Sequence, residues 1–352
     1  MNESFDPNLN PNETPEEIKM PPEELKKHKR VFSRIALSFF GYLIICEIAV
    51  YAIYALLENF APELLKNGNT AIIISSVIQY CIAFPALLLM VRKIPKSTPH
   101  KGPFSFGRFI KYALVSIFVM FAGSYISNII MSLVELSTGN VPEDSVNELL
   151  SQTNFWLSLV IVGIIGPIVE ELMFRKILVD RLYPYGEAIA VFVPALMFGL
   201  FHGNLYQFFY AAMLGIALSY IYIRSGKIIY PILLHIFMNM FCGILPSGIM
   251  SMMDFEEFLN LSLEGTLTDE YIAANALPIA LLGIYELVYY GMIFIGIYLL
   301  TRNLRNIHFN KGEFTLPKGT VAETVFFNPG AIAFIAYCLL VIAISTFAPA
   351  AG

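Results

Sequence analysis

The sequence predicts an all-α protein, a polytopic bundle of about eight or nine transmembrane helices. Apolar residues make up 57% of the 352 residues, whereas charged residues make up only 14%. A soluble domain typically carries about 25% charged residues, and the mean hydropathy of this chain is +0.67. The apolar residues gather in runs of about 20, the length that a helix needs to cross a bilayer. Nothing in the composition indicates binding to nucleic acid.

Nine apolar segments are candidate membrane spans. We place them at about residues 35–57, 70–91, 111–134, 155–178, 187–202, 206–223, 228–249, 277–300 and 328–348. Together they predict one transmembrane domain over residues 35–350. Residues 1–34 are polar and proline-bearing, and we expect them to form a disordered cytoplasmic tail.

The distribution of basic residues predicts the orientation of this bundle. Lys and Arg cluster before the first span and after the second, fourth, sixth and eighth spans, whereas the loops after the third and seventh spans are acidic. Cytoplasmic loops carry an excess of Lys and Arg. We therefore expect a multi-pass protein of the cell membrane with a cytoplasmic N-terminus and an extracytoplasmic C-terminus.

The fourth span carries the most unusual charged group. Glu170, Glu171 and Arg175 follow residues 155–169, an apolar run without any charge. A charged side chain at membrane depth costs about 2.5–3.5 kcal/mol on insertion scales, and function is the usual reason for its presence. On a helix Glu171 and Arg175 face each other, while Glu170 points about 100 degrees away. Arg175 is thus expected to neutralise Glu171 and leave Glu170 free to act as a general base.

Two histidines lie in later spans, each with a companion one helical turn away. They form the pairs Phe198 with His202 and His235 with Asn239. Together with Glu170 they would supply a base, a proton partner and two hydrogen-bond donors, which attack of water on an amide requires. Each motif alone also fits an interfacial ion pair or an interhelical hydrogen bond. Their ordered occurrence on three spans favours catalysis.

In this order the motifs Glu-Glu-x-x-x-Arg, Phe-x-x-x-His and His-x-x-x-Asn resemble the signature of a known family. It is the CAAX-protease and bacteriocin-processing family, the Abi-type intramembrane proteases related to the Rce1 type. The resemblance covers about residues 160–245, which we take as the motif core. It implies a glutamate-dependent intramembrane endopeptidase that needs no metal or other cofactor.

The resemblance also implies roles for the motif residues. Glu170 with His202 would activate the water, and His235 with Asn239 would form the oxyanion site. The supporting residues would be Glu171, Arg175 and Phe198. The implied partners are the lipid bilayer and a membrane-associated or lipidated peptide or protein, cleaved near the cytoplasmic face. Neither the substrate nor the oligomeric state is indicated by the sequence.

The fifth span raises a question of depth. Under the predicted orientation Glu170 lies near the cytoplasmic end of its span, whereas His202 lies near the outer end of a short one. We therefore expect the fifth span to begin irregularly and to become properly helical only around Pro194, which would bring His202 to the depth of Glu170.

Three other functions compete with this interpretation. Glu170, His202 and His235 could hold a catalytic zinc ion, although the chain lacks the His-Glu-x-x-His helix that usually supplies it. A non-catalytic scaffold that regulates peptide export or signalling is the second alternative. A transporter is the third, because Glu47 and Glu286 lie in apolar spans. These two carboxylates are interpreted either as a hydrogen-bonded structural pair or as the lining of a polar route to the site.

Overall fold

The computed structural model describes residues 20–139, 149–150 and 152–347. Within these residues the chain forms helices and turns without any strand, and eight helices are long and apolar enough to cross a membrane. A ninth apolar helix is shorter. The predicted fold class, an all-α polytopic bundle of about eight or nine spans, is therefore confirmed.

We number these apolar helices in chain order. They are α1 Pro22–Phe60, α2 Gly68–Val91, α3 Phe106–Thr138, α4 Phe155–Tyr185, α5 Glu187–Phe201, α6 Leu205–Ser225, α7 Ile229–Met250, α8 Ala276–Asn306 and α9 Pro329–Phe347. Four short helices connect them, at Pro62–Leu65, Phe255–Glu264, Asp269–Ala274 and Val321–Val325. At 1.5 Å per residue, the 15 residues of α5 extend about 22 Å, which is less than the ~30 Å hydrocarbon core.

Helix α1 begins earlier than the sequence predicts. Proline at the first helical position is favourable, because its missing N–H has no partner there and its φ angle is already helical. Pro22 occupies this position. Residues 22–34 are consequently helical, which corrects that part of the expected disordered tail. Residues 1–19 lie outside the described residues, as do residues 348–350 at the end of the predicted domain.

The core of the bundle places α5 at its centre, between α4 and α6. Helix α6 also packs against α3, and α1 packs against α9. Glycine permits the close approach of α5 and α6, because a Cβ atom on Gly199 would lie 2.6 Å from the carbonyl oxygen of Phe208. A Cβ on Gly215 would likewise lie 2.9 Å from Cα of Ala195. This close contact fixes the end of α5, where His202 lies.

Helix α4 is interrupted by two π-helical segments, Ile161–Ile165 and Leu172–Val179. Between them lies one α-helical stretch, Gly166–Glu171, which carries both glutamates. Pro167 has no N–H to donate, and the preceding Gly166 donates five residues back, to the carbonyl of Ile161. Such π segments inside α-helices are frequent at functional sites. They determine the direction in which the two carboxylates point.

Candidate active site

The ion pair expected on α4 is present and fully buried. Nη1 of Arg175 lies 3.1 Å from Oε1 of Glu171, and both side chains are 0% exposed. The guanidinium also lies over the ring of Phe198, with Cζ 4.7 Å from the ring centroid. A buried charge needs compensation of this kind, since the cost of removing it from water is large.

His235 on α7 contacts both glutamates. Its Nδ1 lies 2.9 Å from Oε1 of Glu171, and its Nε2 lies 3.7 Å from Oε2 of Glu170. A carboxylate paired with a guanidinium accepts hydrogen bonds, so Nδ1 of His235 is the donor in the shorter contact. The hydrogen bond to Glu171 thus orients the ring, and Nε2 is the nitrogen that faces Glu170.

Glu170 differs from its neighbour in exposure. Its side chain is 27% exposed, whereas that of Glu171 is 0% exposed. Glu170 also interacts electrostatically with His202. The structure therefore provides one accessible carboxylate between two histidines, and a second carboxylate that is buried and already paired.

His202 follows the last residue of α5 directly. Its Nδ1 lies 2.7 Å from the carbonyl oxygen of Phe198, and because a carbonyl only accepts, Nδ1 is the donor. In the neutral ring Nε2 is then left as a hydrogen-bond acceptor. The ring of Phe198 packs edge-on against His202 and His235, with centroid distances of 4.8 Å and 5.7 Å. Phe198 thus contacts three of the other polar residues predicted for the site.

The expectation that α5 begins irregularly is wrong. The helix is regular from Glu187 onward, and Pro194 lies inside it. It starts at a fixed point, because Gly186 has a φ angle of +108 degrees, which favours glycine. The carboxylate of Glu187 pairs with Arg224 at 2.8 Å and accepts a hydrogen bond from the backbone N–H of Asn310. His202 reaches Glu170 because α5 is short, not because its beginning is unwound.

Asn239 lies one turn after His235 and is bound to α4. Its Nδ2 donates to the carbonyl oxygen of Val162 at 2.9 Å. Val162 belongs to the first π-helical segment of that helix. The amide thereby fixes α7 against α4 near the glutamates, and it keeps a second N–H available to donate.

Two tyrosines near Glu170 were missed by sequence reasoning. Tyr42 on α1 and Tyr80 on α2 both interact electrostatically with this carboxylate. Tyr42 is 1% exposed. In the sequence both look like ordinary aromatic residues of apolar spans, and only the packing of α1 and α2 beside α4 brings them to the site.

The other two intramembrane carboxylates do not form a pair with each other. Oε1 of Glu47 accepts a hydrogen bond from the hydroxyl of Tyr337 at 3.1 Å. Glu286 is exposed on α8. With respect to metals, no group of three or more His, Cys, Asp or Glu side chains among the residues described could hold an ion.

Residues 152–241 match the family model described as type II CAAX prenyl endopeptidase Rce1-like. The core of this chain is Rce1-like. The match includes all seven motif residues, from Glu170 to Asn239. The resemblance to CAAX proteases that the three motifs indicate is therefore confirmed for this core.

Two curated proteins resemble the chain over longer or shorter stretches. One is "Putative membrane peptidase YdiL" of Bacillus subtilis (strain 168), 29% identical over 172 residues, which cover 48% of this chain and 70% of that protein. The other is human "CAAX prenyl protease 2", 34% identical over 97 residues, covering 22% of this chain and 30% of the human protein. No solved structure matches the chain. With its eight long apolar helices, the Rce1-like core supports an integral, multi-pass membrane peptidase.

Proposed function

We propose that this protein hydrolyses a peptide bond within the membrane, near its cytoplasmic face, and that Glu170 activates the attacking water. The observation that carries the proposal is the contrast between adjacent carboxylates. Glu170 is 27% exposed and lies between His202 and His235, whereas Glu171 is 0% exposed and paired with Arg175. Only the first is accessible to a water molecule and a substrate.

In the proposed mechanism Glu170 accepts a proton from the water as the oxygen attacks the carbonyl carbon. His202 is the second acceptor at this position. Its Nδ1 donates to the carbonyl of Phe198 at 2.7 Å, so Nε2 of the neutral ring has the free lone pair. The proton is later delivered to the leaving amine, which completes hydrolysis without any change in the protein.

The oxyanion that forms on the substrate needs hydrogen-bond donors. We assign this role to His235 and Asn239. Nδ1 of His235 is held by Glu171 at 2.9 Å, and Nε2 donates to the oxyanion when the ring carries both protons. The amide of Asn239, held by the carbonyl of Val162, donates with its second hydrogen. Glu171, Arg175 and Phe198 position these groups.

The proposed substrate is a membrane-associated or lipidated peptide or protein. One relative carries the name CAAX prenyl protease 2, and a prenylated tail is accordingly one substrate to test. The cytoplasmic location rests on the basic residues that follow the spans. Lys176 and Arg181 lie within ten residues or so of Glu170 near the end of α4, and such residues are enriched on the cytoplasmic side.

The decisive experiment measures peptide cleavage by purified protein in detergent, with a strong chelator present throughout. Wild type is compared with Glu170→Gln and His235→Ala on hydrophobic and prenylated peptides. Glu286→Gln is the matched control, because it removes an intramembrane carboxylate that is exposed on α8. We expect cleavage by wild type and by the control, and a loss of about 100-fold or more in Glu170→Gln.

Two results would contradict the proposal. Unaltered cleavage by Glu170→Gln would mean that this carboxylate is not the base. Loss of wild-type activity in the chelator, restored by added zinc, would mean that the reaction depends on a metal.

A further inference from the structure

A second polar cavity lies at the ends of α2 and α4, on the side predicted to be cytoplasmic. It has a volume of about 590 Å³, which is within the usual range of about 300–1,000 Å³ for ligand pockets. Five cationic side chains line it, and no carboxylate does so in the part of the chain that the structure describes. The cations are Arg92, Lys93, Lys96, Lys176 and Arg181. We call this cavity the basic groove.

The floor of the basic groove is a rigid polar network. The guanidinium of Arg181 is 6% exposed and donates to the carbonyls of Ile177 and Val91, both at 2.8 Å. It therefore ties the end of α4 to the end of α2. Beside it the buried carboxylate of Asp180 accepts from Lys176 at 2.8 Å and from the hydroxyl of Tyr222 at 2.8 Å.

The rim of the basic groove has an excess of positive charge. Lys176 is neutralised by Asp180, whereas Arg92, Lys93 and Lys96 are exposed and form no ion pair with any residue that the structure describes. Three uncompensated cations within five residues create a positive potential above the floor. A ligand with negative charge is the chemistry that complements it.

The apolar side of the basic groove indicates where that ligand comes from. Leu88 lines the groove and is 44% exposed on α2, one turn before the cations, and the neighbouring Leu89 is 63% exposed. A phosphate bound by the rim would therefore have an apolar helix surface directly below it in the membrane. This order, cations above and exposed leucines below, matches the headgroup and acyl chains of a phospholipid. Basic pockets between spans bind anionic headgroups in this way.

We propose that the basic groove binds the phosphate group of an anionic phospholipid, with Arg92, Lys93 and Lys96 as its principal ligands. Arg181 supplies fixed positive charge from below. The acyl chains lie along Leu88 and Leu89 on α2. The site is separate from the glutamates and histidines of the candidate active site, and it does not depend on the chain being a peptidase.

The test titrates purified full-length protein in neutral detergent with phosphatidylglycerol or with zwitterionic phosphatidylcholine, and counts bound lipids by native mass spectrometry. The site variant is Arg92→Gln/Lys93→Gln/Lys96→Gln. The matched control is Arg305→Gln/Lys311→Gln/Lys318→Gln, which removes three exposed cations from the same predicted side. A charge-conserving variant, Arg92→Lys/Lys93→Arg/Lys96→Arg, shows whether charge at this position suffices.

We expect wild type, the control and the charge-conserving variant to retain phosphatidylglycerol, and the site variant to lose about tenfold or more in affinity. Equal binding by the site variant and wild type would overturn the proposal. An equal loss in the control would do so as well, because it would mean adsorption by overall charge. Complete displacement of phosphatidylglycerol by inorganic phosphate at the same concentration would show that the acyl chains add nothing, and would overturn the lipid as the source of the phosphate.

Discussion

Nδ1 of His235 lies 2.9 Å from Oε1 of Glu171, and the same oxygen lies 3.1 Å from Nη1 of Arg175. One buried carboxylate thus serves an arginine on its own helix and a histidine on α7. The consequence is that two of the three sequence motifs are joined through Glu171. The third motif joins them through Phe198, whose ring contacts Arg175, His202 and His235.

The first prediction concerns the stability of this buried pair. Glu171→Leu leaves the guanidinium of Arg175 at 0% exposure without its carboxylate, and breaking a buried pair costs about 3–5 kcal/mol. The double variant Glu171→Leu/Arg175→Leu removes both charges and should recover most of that loss. The free energy of unfolding in detergent measures both variants. A single variant as stable as wild type would mean that the pair contributes little to folding.

The second prediction concerns Phe198. Phe198→Leu keeps an apolar side chain but removes the aromatic face over Arg175 and the edge contacts with both histidines. A buried cation–π contact alone is worth up to about 2 kcal/mol, and loss of positioning should lower kcat as well. Phe192→Leu on the same helix is the control, because Phe192 is 48% exposed. Equal kcat values for the two variants would contradict a positioning role for Phe198.

The third prediction concerns the contact between α5 and α6. Gly199→Ala would place a Cβ 2.6 Å from the carbonyl oxygen of Phe208, so one helix must move. Overpacking of this kind typically costs about 1–3 kcal/mol, and the displaced end of α5 would carry His202 away from Glu170. Gly283→Ala on α8 meets no atom within 4 Å and should be neutral or slightly stabilising. Thermal unfolding and cleavage, measured together, distinguish the two variants.

The fourth prediction concerns the tyrosines near Glu170. Removing one hydroxyl with Tyr42→Phe or Tyr80→Phe should lower kcat by about tenfold, the equivalent of one hydrogen bond of about 1.4 kcal/mol. KM should change little if the hydroxyls act on the base rather than on the substrate. Tyr51→Phe is the control, since Tyr51 is on α1 and is 74% exposed. A change in KM alone would assign the two tyrosines to substrate binding instead.

The sequence predicts the number of apolar helices and the residues that surround the site, because both depend on composition and on local spacing. Glu171 and Arg175 are one turn apart on one helix, so their pairing follows from helix geometry alone. The joining of His235 to Glu171 does not, because it depends on how α7 packs against α4. Tyr42 and Tyr80 were missed for the same reason.

Other differences arise where the hydrophobic pattern is uniform. Within the apolar run of α4 every residue is compatible with either an α-helical or a π-helical turn, so periodicity gives no sign of Ile161–Ile165 or Leu172–Val179. The start of α5 was also misjudged. It depends on Glu187 binding Arg224 and Asn310, which lie 37 and 123 residues away in the sequence.

The π-helical segment Leu172–Val179 has a consequence for how the chain tolerates insertions and deletions. Its hydrogen bonds span five residues instead of four, so the helix accommodates more residues per turn there than an α-helix does. Deleting a single residue would allow the α-helix to continue through this stretch, and everything after it would rotate by about 100 degrees relative to Glu170. Asp180 and Arg181, which hold the ends of α2 and α4 together, would then face a different neighbour. The length of this segment is therefore constrained to the residue, even though its side chains are mostly ordinary apolar ones.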